Sequence, residues 1–180
     1  KVDFKDIGQV SYKQLFIGRY GTNPHRASAR ELERLAVQVG LTHLAGDASE
    51  SDILDGLFAI GIEPALRTPV IVTDFPSCQA ALAEIRTDQE GDEISCRFEL
   101  FAKGLEIANA YQELDHAVEL ERRFGEYNHQ RQLLGKADMA LDTSLLDATG
   151  SIGTYSGIAL GIDRLAMSLL GVDSIAQVTL

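Results

Sequence analysis

The sequence predicts an α+β chain in which an antiparallel sheet is backed by helices and accompanied by a small helical insertion, and three observations carry that expectation. Residues 11–69 place apolar side chains at helical intervals. From Val70 onward, short runs rich in β-branched and aromatic residues read as strands, two of them flanking Lys103-Gly104. The stretch GIALGIDRLAMSLLG, Gly157 to Gly171, passes from alternating small and apolar residues into helical spacing, as a strand running into a helix would. The expected division is a mainly helical insertion or subdomain over 1–69 and a sheet-bearing part over 70–180.

Each element has its own signal. In SAREL, Ser28 and Glu31 stand at capping-box spacing, and Leu32, Leu35, Ala36 and Val39 follow on one helical face up to Gly40. Ser51 to Ile60 repeats that style. VIVTDF is a short strand ended by Pro76, and EISCRFELFAKGLEIANAYQEL is a longer extended segment interrupted at Lys103-Gly104. Asp115 to about Leu134 reads as a charged helix, and 135–155 as loop. Gly171 is placed to end the last helix.

Composition excludes several classes of function. With 180 residues, 45% hydrophobic and 24% charged, the chain is long enough to bury a good core. A net charge of −11 opposes a reading in which this chain alone grips nucleic-acid backbone, and favours a cationic or magnesium-bound ligand. Cys78 and Cys96 have neither disulfide nor zinc spacing, so a reducing cytoplasm is expected. No uncharged run approaches the ~20 residues a membrane span needs, and KVDFKDIG lacks both a signal-peptide core and an initiator Met, which suggests a processed or excised piece. His25, His43, His116 and His129 are dispersed without metal-ligand spacing, and Met139 and Met167 are expected to fill gaps in the core.

The hairpin contains the first geometric clue to chemistry. With Lys103-Gly104 as a two-residue turn, Ala102 faces Leu105, Phe101 faces Glu106 and Glu99 faces Ala108. Glu99 and Glu106 then share a face as diagonal neighbours, close enough to share one hard cation and uncomfortable without it. Asn109 and Glu113 point to the other face in a flat strand; one bulged residue near Ala108 to Ala110 would bring them round. Near the end of the chain, Gly157 and Gly161 would let a ligand approach the backbone, and a guanidinium at Arg164 could lie on a purine and donate to phosphate oxygens.

These residues carry a family resemblance. GIALGIDRL resembles motif 3 of the class II aminoacyl-tRNA synthetases, and FELFAKGLEIANAYQEL resembles the hairpin of their lysine-specific members. VSYKQLF near the start, DFPSCQAALA from Asp74 and ERRF in the following helix extend the similarity across the chain. Within the family, the chain is most similar to short lysyl-tRNA synthetase paralogues that ligate lysine or β-lysine to a lysine of elongation factor P. The resemblance implies that 70–180 is the C-terminal half of the catalytic domain, including motif 3. It further implies ATP-dependent lysine activation with ATP and Mg2+, a cytoplasmic setting, and a homodimer in the full-length protein. Residue by residue, it implies that Glu99 and Glu106 hold the metal, that Glu106, Ile107, Gly161 and Arg164 bind ATP with Arg164 catalytic, and that Asn109, Glu113 and Ala159 hold lysine. Two alternatives stay open: the C-terminal catalytic region of a lysyl-tRNA synthetase charging tRNA, and a non-catalytic binding or regulatory paralogue.

Departures from the family pattern shape these expectations. Ala159 stands where tRNA-charging lysyl enzymes have glycine, and its methyl could reshape the amino-acid pocket for a β-amino acid, an effect of ~1–3 kcal/mol. Gly153 replaces a proline before motif 3, and Ala110 replaces a glycine. No counterpart of motif 1, which builds the dimer interface, or of motif 2, whose arginine holds the α-phosphate, is found. The chain is therefore expected to resemble the C-terminal portion of the enzyme, to be inactive alone, and to have an incomplete sheet with an exposed edge.

Overall fold

Gly8–Ser11 (β1) and Val70–Pro76 (β2) run parallel, so the chain between them must cross back over the sheet, and helices supply the crossover. The computed structural model describes residues 2–44, 46 and 48–179. Three helices make the crossing: Tyr12–Tyr20 (α1), Ala29–Gln38 (α2) and Glu50–Gly61 (α3). Each begins in a capping box, Ser11 with Gln14, Ser28 with Glu31 as expected, and Ser49 with Asp52. Such caps contribute about 1 kcal/mol apiece. α1 ends at Gly21, whose φ of 71° is the left-handed turn that glycine adopts without strain.

The remaining strands are Ile85–Thr87 (β3), Glu93–Ala102 (β4), Leu105–Gln112 (β5) and Ser156–Leu160 (β6). They form one six-stranded sheet in the order β1-β2-β4-β5-β6, with β3 on the first half of β4; every pair but β1–β2 is antiparallel. Lys103 and Gly104 both have positive φ, 56° and 73°, the type I′ geometry expected of a two-residue hairpin turn. Ala117–Leu133 (α4) matches the charged helix, and Ile162–Leu170 (α6) stops at Gly171 as expected. A short helix, Thr143–Ala148 (α5), capped by Asp142, lies within the stretch expected to be loop. β6 is an edge strand, with Ile158 65% exposed.

The helical crossover and the sheet share one core. Tyr12 and Phe16 of α1, Leu32 and Leu35 of α2, Leu57 and Phe58 of α3, Val72 and Phe75 of β2 and Phe101 of β4 are all buried in it. Tyr12 lies 4.9 Å from Phe58 and 5.1 Å from Phe75, and Phe58 lies 5.5 Å from Phe101, centroid to centroid. Aromatic contacts of this kind add about 0.5–1.5 kcal/mol each beyond area burial, so they fasten the helices to the strands that carry the site. Met167 is buried as expected, whereas Met139 is exposed: it follows α4, where its backbone is held by Asn128, and lines a surface groove instead of the core. Among the described residues, no helix is long and apolar enough to cross a membrane.

A buried charge anchors the β3–β4 turn to the first helix. Asp92, 3% exposed, accepts from Lys13 Nζ at 2.7 Å, from Asn23 Nδ2 at 3.2 Å and from Arg26. Asp88 and Glu90 also meet the Lys13 ammonium, at 3.3 and 3.1 Å.

Candidate active site

The hairpin pairing follows expectation at its tip and departs from it further in. Ala102 pairs with Leu105 and Phe101 with Glu106, but Leu100 pairs with Ala108, so Glu99 faces Asn109 and not Ala108. Ile107 is the extra residue, one position before the Ala108–Ala110 stretch where a bulge was required. Its effect is the required one. Beyond the bulge, Asn109, Tyr111 and Glu113 lie on the face that carries Glu99 and Glu106, because cross-strand partners share a face and side chains alternate along each strand. The same face is covered by the helical crossover over β2, where Val72 pairs with Glu99.

At the centre of this face, Glu99 is only 7% exposed and contacts the Arg97 guanidinium. Burial pushes its carboxyl up to about 7 against the lowering effect of Arg97, and neighbouring Glu106 pushes the same way. Glu106 is more open and faces Arg164, whose Nη1 donates to the Glu106 carbonyl at 2.9 Å and lies 3.4 Å from its carboxylate. Each acid has an arginine partner, while the charge on Glu106 still pushes the Glu99 carboxyl up. Both present oxygen ligands on one face, the donor type that magnesium prefers.

β5 and β6 form the walls of a cleft of about 360 Å³ lined by Glu106, Ile107, Ala159, Gly161, Asp163 and Arg164, among others. The Gly161 N–H donates to the Ile107 carbonyl at 2.9 Å, fixing the strand-to-helix junction beside the bulge. A β-carbon on Gly161 would make only ordinary contacts, 3.5 Å from Arg164 and from the Ile107 carbonyl, so crowding does not account for this glycine. Ala159 pairs with Asn109 and Gly157 with Tyr111, which puts Gly157 and Ala159 on the site face and Ile158 on the other. Glu99, Asn109 and Glu113 do not line the cleft but continue its face along β4 and β5.

The far end of the face is formed by Glu113 and Gly157. A β-carbon on Gly157 would lie 2.3 Å from Glu113 Oε1, so this glycine makes the room in which the carboxylate sits. Burial raises the Glu113 carboxyl above its ordinary value. Among the described residues no basic side chain pairs with it. A half-buried, unpaired carboxylate against a glycine has the charge and the room to accept a cation. Counting from Glu106 to Glu113 at about 3.3 Å per residue and discounting the bulged Ile107, the two ends lie roughly 20 Å apart, enough for a nucleotide and an extended amino acid in line.

Arg97 was not among the expected site residues, though it stands between Cys96 and Phe98 in the hairpin sequence. Its partner Glu99 is two residues away, but Phe75 and Gln79, which complete its setting, come from another part of the chain. His116, expected to lack ligand neighbours, meets Glu84 and Asp115 with one ligand atom of each within 4.8 Å of the others, yet it is exposed and none of the three lines the cleft. A larger groove, about 1100 Å³, runs between the start of α3, the turn at Ser77–Ala81 and α4, and contains none of the expected site residues.

Comparison with known proteins bears on this arrangement. The family model described as tRNA synthetases class II (D, K and N) matches residues 8–180. The "Elongation factor P--(R)-beta-lysine ligase" of Salmonella typhi is 35% identical over 181 residues, covering 98% of this chain and 55% of that protein. The protein of the same name from Vibrio cholerae serotype O1 is 38% identical over 175 residues, covering 95% of this chain and 53% of that protein. The chain thus spans about half the length of these relatives.

Proposed function

Since the chain belongs to the class II tRNA synthetases of the D, K and N group, we propose that it forms the C-terminal catalytic part of a ligase that activates lysine or β-lysine with ATP and transfers it to a lysine of elongation factor P. The observation that carries this reading is the placement of the unpaired Glu113 carboxylate, beside Gly157, on the same sheet face as the Glu106–Arg164 end of the cleft. One end suits an ammonium and the other a polyphosphate.

In the proposed reaction a carboxylate oxygen of the amino acid bonds to the α-phosphorus of ATP and the bond to pyrophosphate breaks. The ε-amine of the acceptor lysine then attacks the activated carbonyl, loses a proton and releases AMP. Glu113 holds the side-chain ammonium, and a neutral side chain there would leave the carboxylate unpaired, which is the basis of selection. Asn109 and Ala159, opposite each other on β5 and β6, flank the amino acid, with the Ala159 methyl adjusting the pocket for a β-amino group. Arg164 uses one Nη on Glu106, and its planar guanidinium is suited to stack on a base while donating to phosphate. Ile107 and Gly161 offer backbone at the nucleotide. Magnesium, for which Glu99 and Glu106 are the fitting ligands, would neutralise the polyphosphate when bound. Catalysis by such a site is positioning and charge complementarity.

The test uses the full-length protein. Pyrophosphate exchange dependent on lysine or (R)-β-lysine, followed by transfer to elongation factor P in preference to lysine tRNA, is the expected result; transfer to tRNA alone supports the tRNA-charging alternative, and no exchange with either amino acid supports a non-catalytic paralogue. Residues 1–180 by themselves are expected to give no exchange, since no counterpart of the motif 2 arginine is found in them. The setting is proposed as cytoplasmic, and the full-length protein as a homodimer.

A steric prediction follows from Gly157. In Gly157→Ala the new methyl takes the place of the Glu113 carboxylate, and because the displaced atoms end a flexible side chain, the fold accommodates it. The KM for lysine rises about 10-fold to 10²-fold, as expected for a misplaced charged hydrogen bond of ~1.5–3 kcal/mol, while the melting temperature stays close to wild type. Exchange kinetics with a thermal melt check it.

A further inference from the structure

We infer that Arg97 is a positioning residue that locks the two halves of the site together, holding the Glu99 carboxylate and the Asn109 side chain in fixed relation. The inference rests on the functional reading above and extends it to a residue outside the expected set.

The geometry around Arg97 is over-determined. Its guanidinium lies 4.6 Å from the Phe75 ring centroid and 5.6 Å from that of Tyr111, so two aromatic residues confine its plane. Nη1 donates to the Gln79 carbonyl at 2.9 Å, Nε donates to Asn109 Oδ1 at 3.2 Å, and Nη2 contacts Glu99. Its side chain is only 16% exposed, so these partners are held away from bulk water.

The partners are themselves fastened. Gln79 Nε2 donates to Asp55 Oδ1 on α3 at 2.6 Å, which ties the arginine to the helical crossover. Asn109 Nδ2 donates to the Tyr111 hydroxyl at 2.9 Å. Arg97 therefore takes the amide oxygen and Tyr111 the amide nitrogen, and together they set which way the Asn109 amide points. Arg97 touches β5 through Asn109 and β4 through Glu99, the paired residues Glu99 and Asn109 forming one rung of the hairpin. A lysine ammonium is a compact point charge without the planar fork, so it can pair with Glu99 but cannot span Glu99, Asn109 and Gln79 at once.

This arrangement predicts a split in kinetics. In the full-length protein, Arg97→Lys keeps the magnesium concentration for half-maximal exchange within about twofold of wild type and raises the lysine KM about 10-fold. Arg97→Met raises both, by about 10-fold or more. Tyr111→Phe, which removes only a hydroxyl, raises the lysine KM about 3-fold and leaves the ATP KM unchanged. All rates are referred to active sites titrated by adenylate burst, so a loss of folded protein lowers the amount of enzyme but moves neither KM. Unchanged lysine KM values in both Arg97→Lys and Tyr111→Phe overturn the inference, even if Arg97→Met fails to fold. Failure of the wild-type protein to exchange pyrophosphate with either amino acid overturns the functional reading and this inference with it; exchange by wild type with unmoved KM values overturns the inference alone.

Discussion

Replacing Glu113 by glutamine in the full-length protein lowers kcat/KM for lysine-dependent pyrophosphate exchange by about 10³-fold, with the ATP KM within about twofold of wild type. Removing one partner of an enclosed charge pair costs about 2–5 kcal/mol, a factor of roughly 30 to several thousand. Glutamine has nearly the same shape, so the fit against Gly157 survives and the loss reports the charge alone. Two further signatures separate this from general damage. The variant discriminates less between lysine and norleucine, because the unpaired-carboxylate penalty that rejects the neutral side chain is gone. The pH dependence also changes. Burial raises the Glu113 carboxyl, so in the wild type the receptor loses its charge at a higher pH than an ordinary glutamate would, and lysine KM climbs as the pH falls into that range. In the glutamine variant that acid limb is absent. An unchanged lysine KM would remove Glu113 from the site.

What could be read from the sequence was what depends on neighbours close in the chain. The Lys103-Gly104 turn is legible because positive φ at two successive positions is a local demand. The box at Ser28 and Glu31 is local in the same way. β1 escaped notice because a four-residue strand gives almost no periodicity, and its place in the sheet comes from pairing with residues 70 to 73 across three helices. The site shows the same boundary. Glu99, Glu106 and Glu113 could be set on one face only by assuming a bulge somewhere in β5; that it falls at Ile107 is decided by pairing on both sides, to β4 and to β6. Arg97 in isolation is one arginine in a strand, and its meaning comes from Phe75 and Gln79, which the β2–β4 pairing and the turn after β2 bring to it. The partner of Glu106 is likewise set by the fold, since Arg164 reaches it from α6, whereas Arg97 and Glu99 stand two residues apart on one face of β4.

The largest effect on stability is expected far from the cleft. Asp92→Ala destabilises the full-length protein's fold by about 3–5 kcal/mol, because it leaves Lys13, whose side chain is 14% exposed, beside Asp88 and Glu90 but without its shortest partner, and takes the carboxylate from Asn23 and from Arg26, which keeps the Glu90 carbonyl. At about 2–4 °C per kcal/mol, that corresponds to a fall of about 6–20 °C in Tm. The dependence on pH distinguishes a charge effect from a cavity. Burial alone would raise the Asp92 carboxyl, but hydrogen bonds from Lys13, Arg26 and Asn23 outweigh it and hold the group well below the usual carboxylate range. A carboxyl depressed in the folded state contributes stability that is fully present above the unfolded value of about 3.9 and is lost as pH falls below it. Lys13 is raised by the same contacts, so its contribution is fully present below its unfolded value of about 10.4 and is lost above it. The difference between wild type and Asp92→Ala should therefore be greatest between about pH 5 and pH 9 and shrink steadily between pH 4 and pH 2. Urea unfolding at pH 7 and at pH 2.5 measures it directly. A difference of equal size at both pH values would mean that Asp92 acts by filling space, and that the anchor between the β3–β4 turn and α1 is not electrostatic.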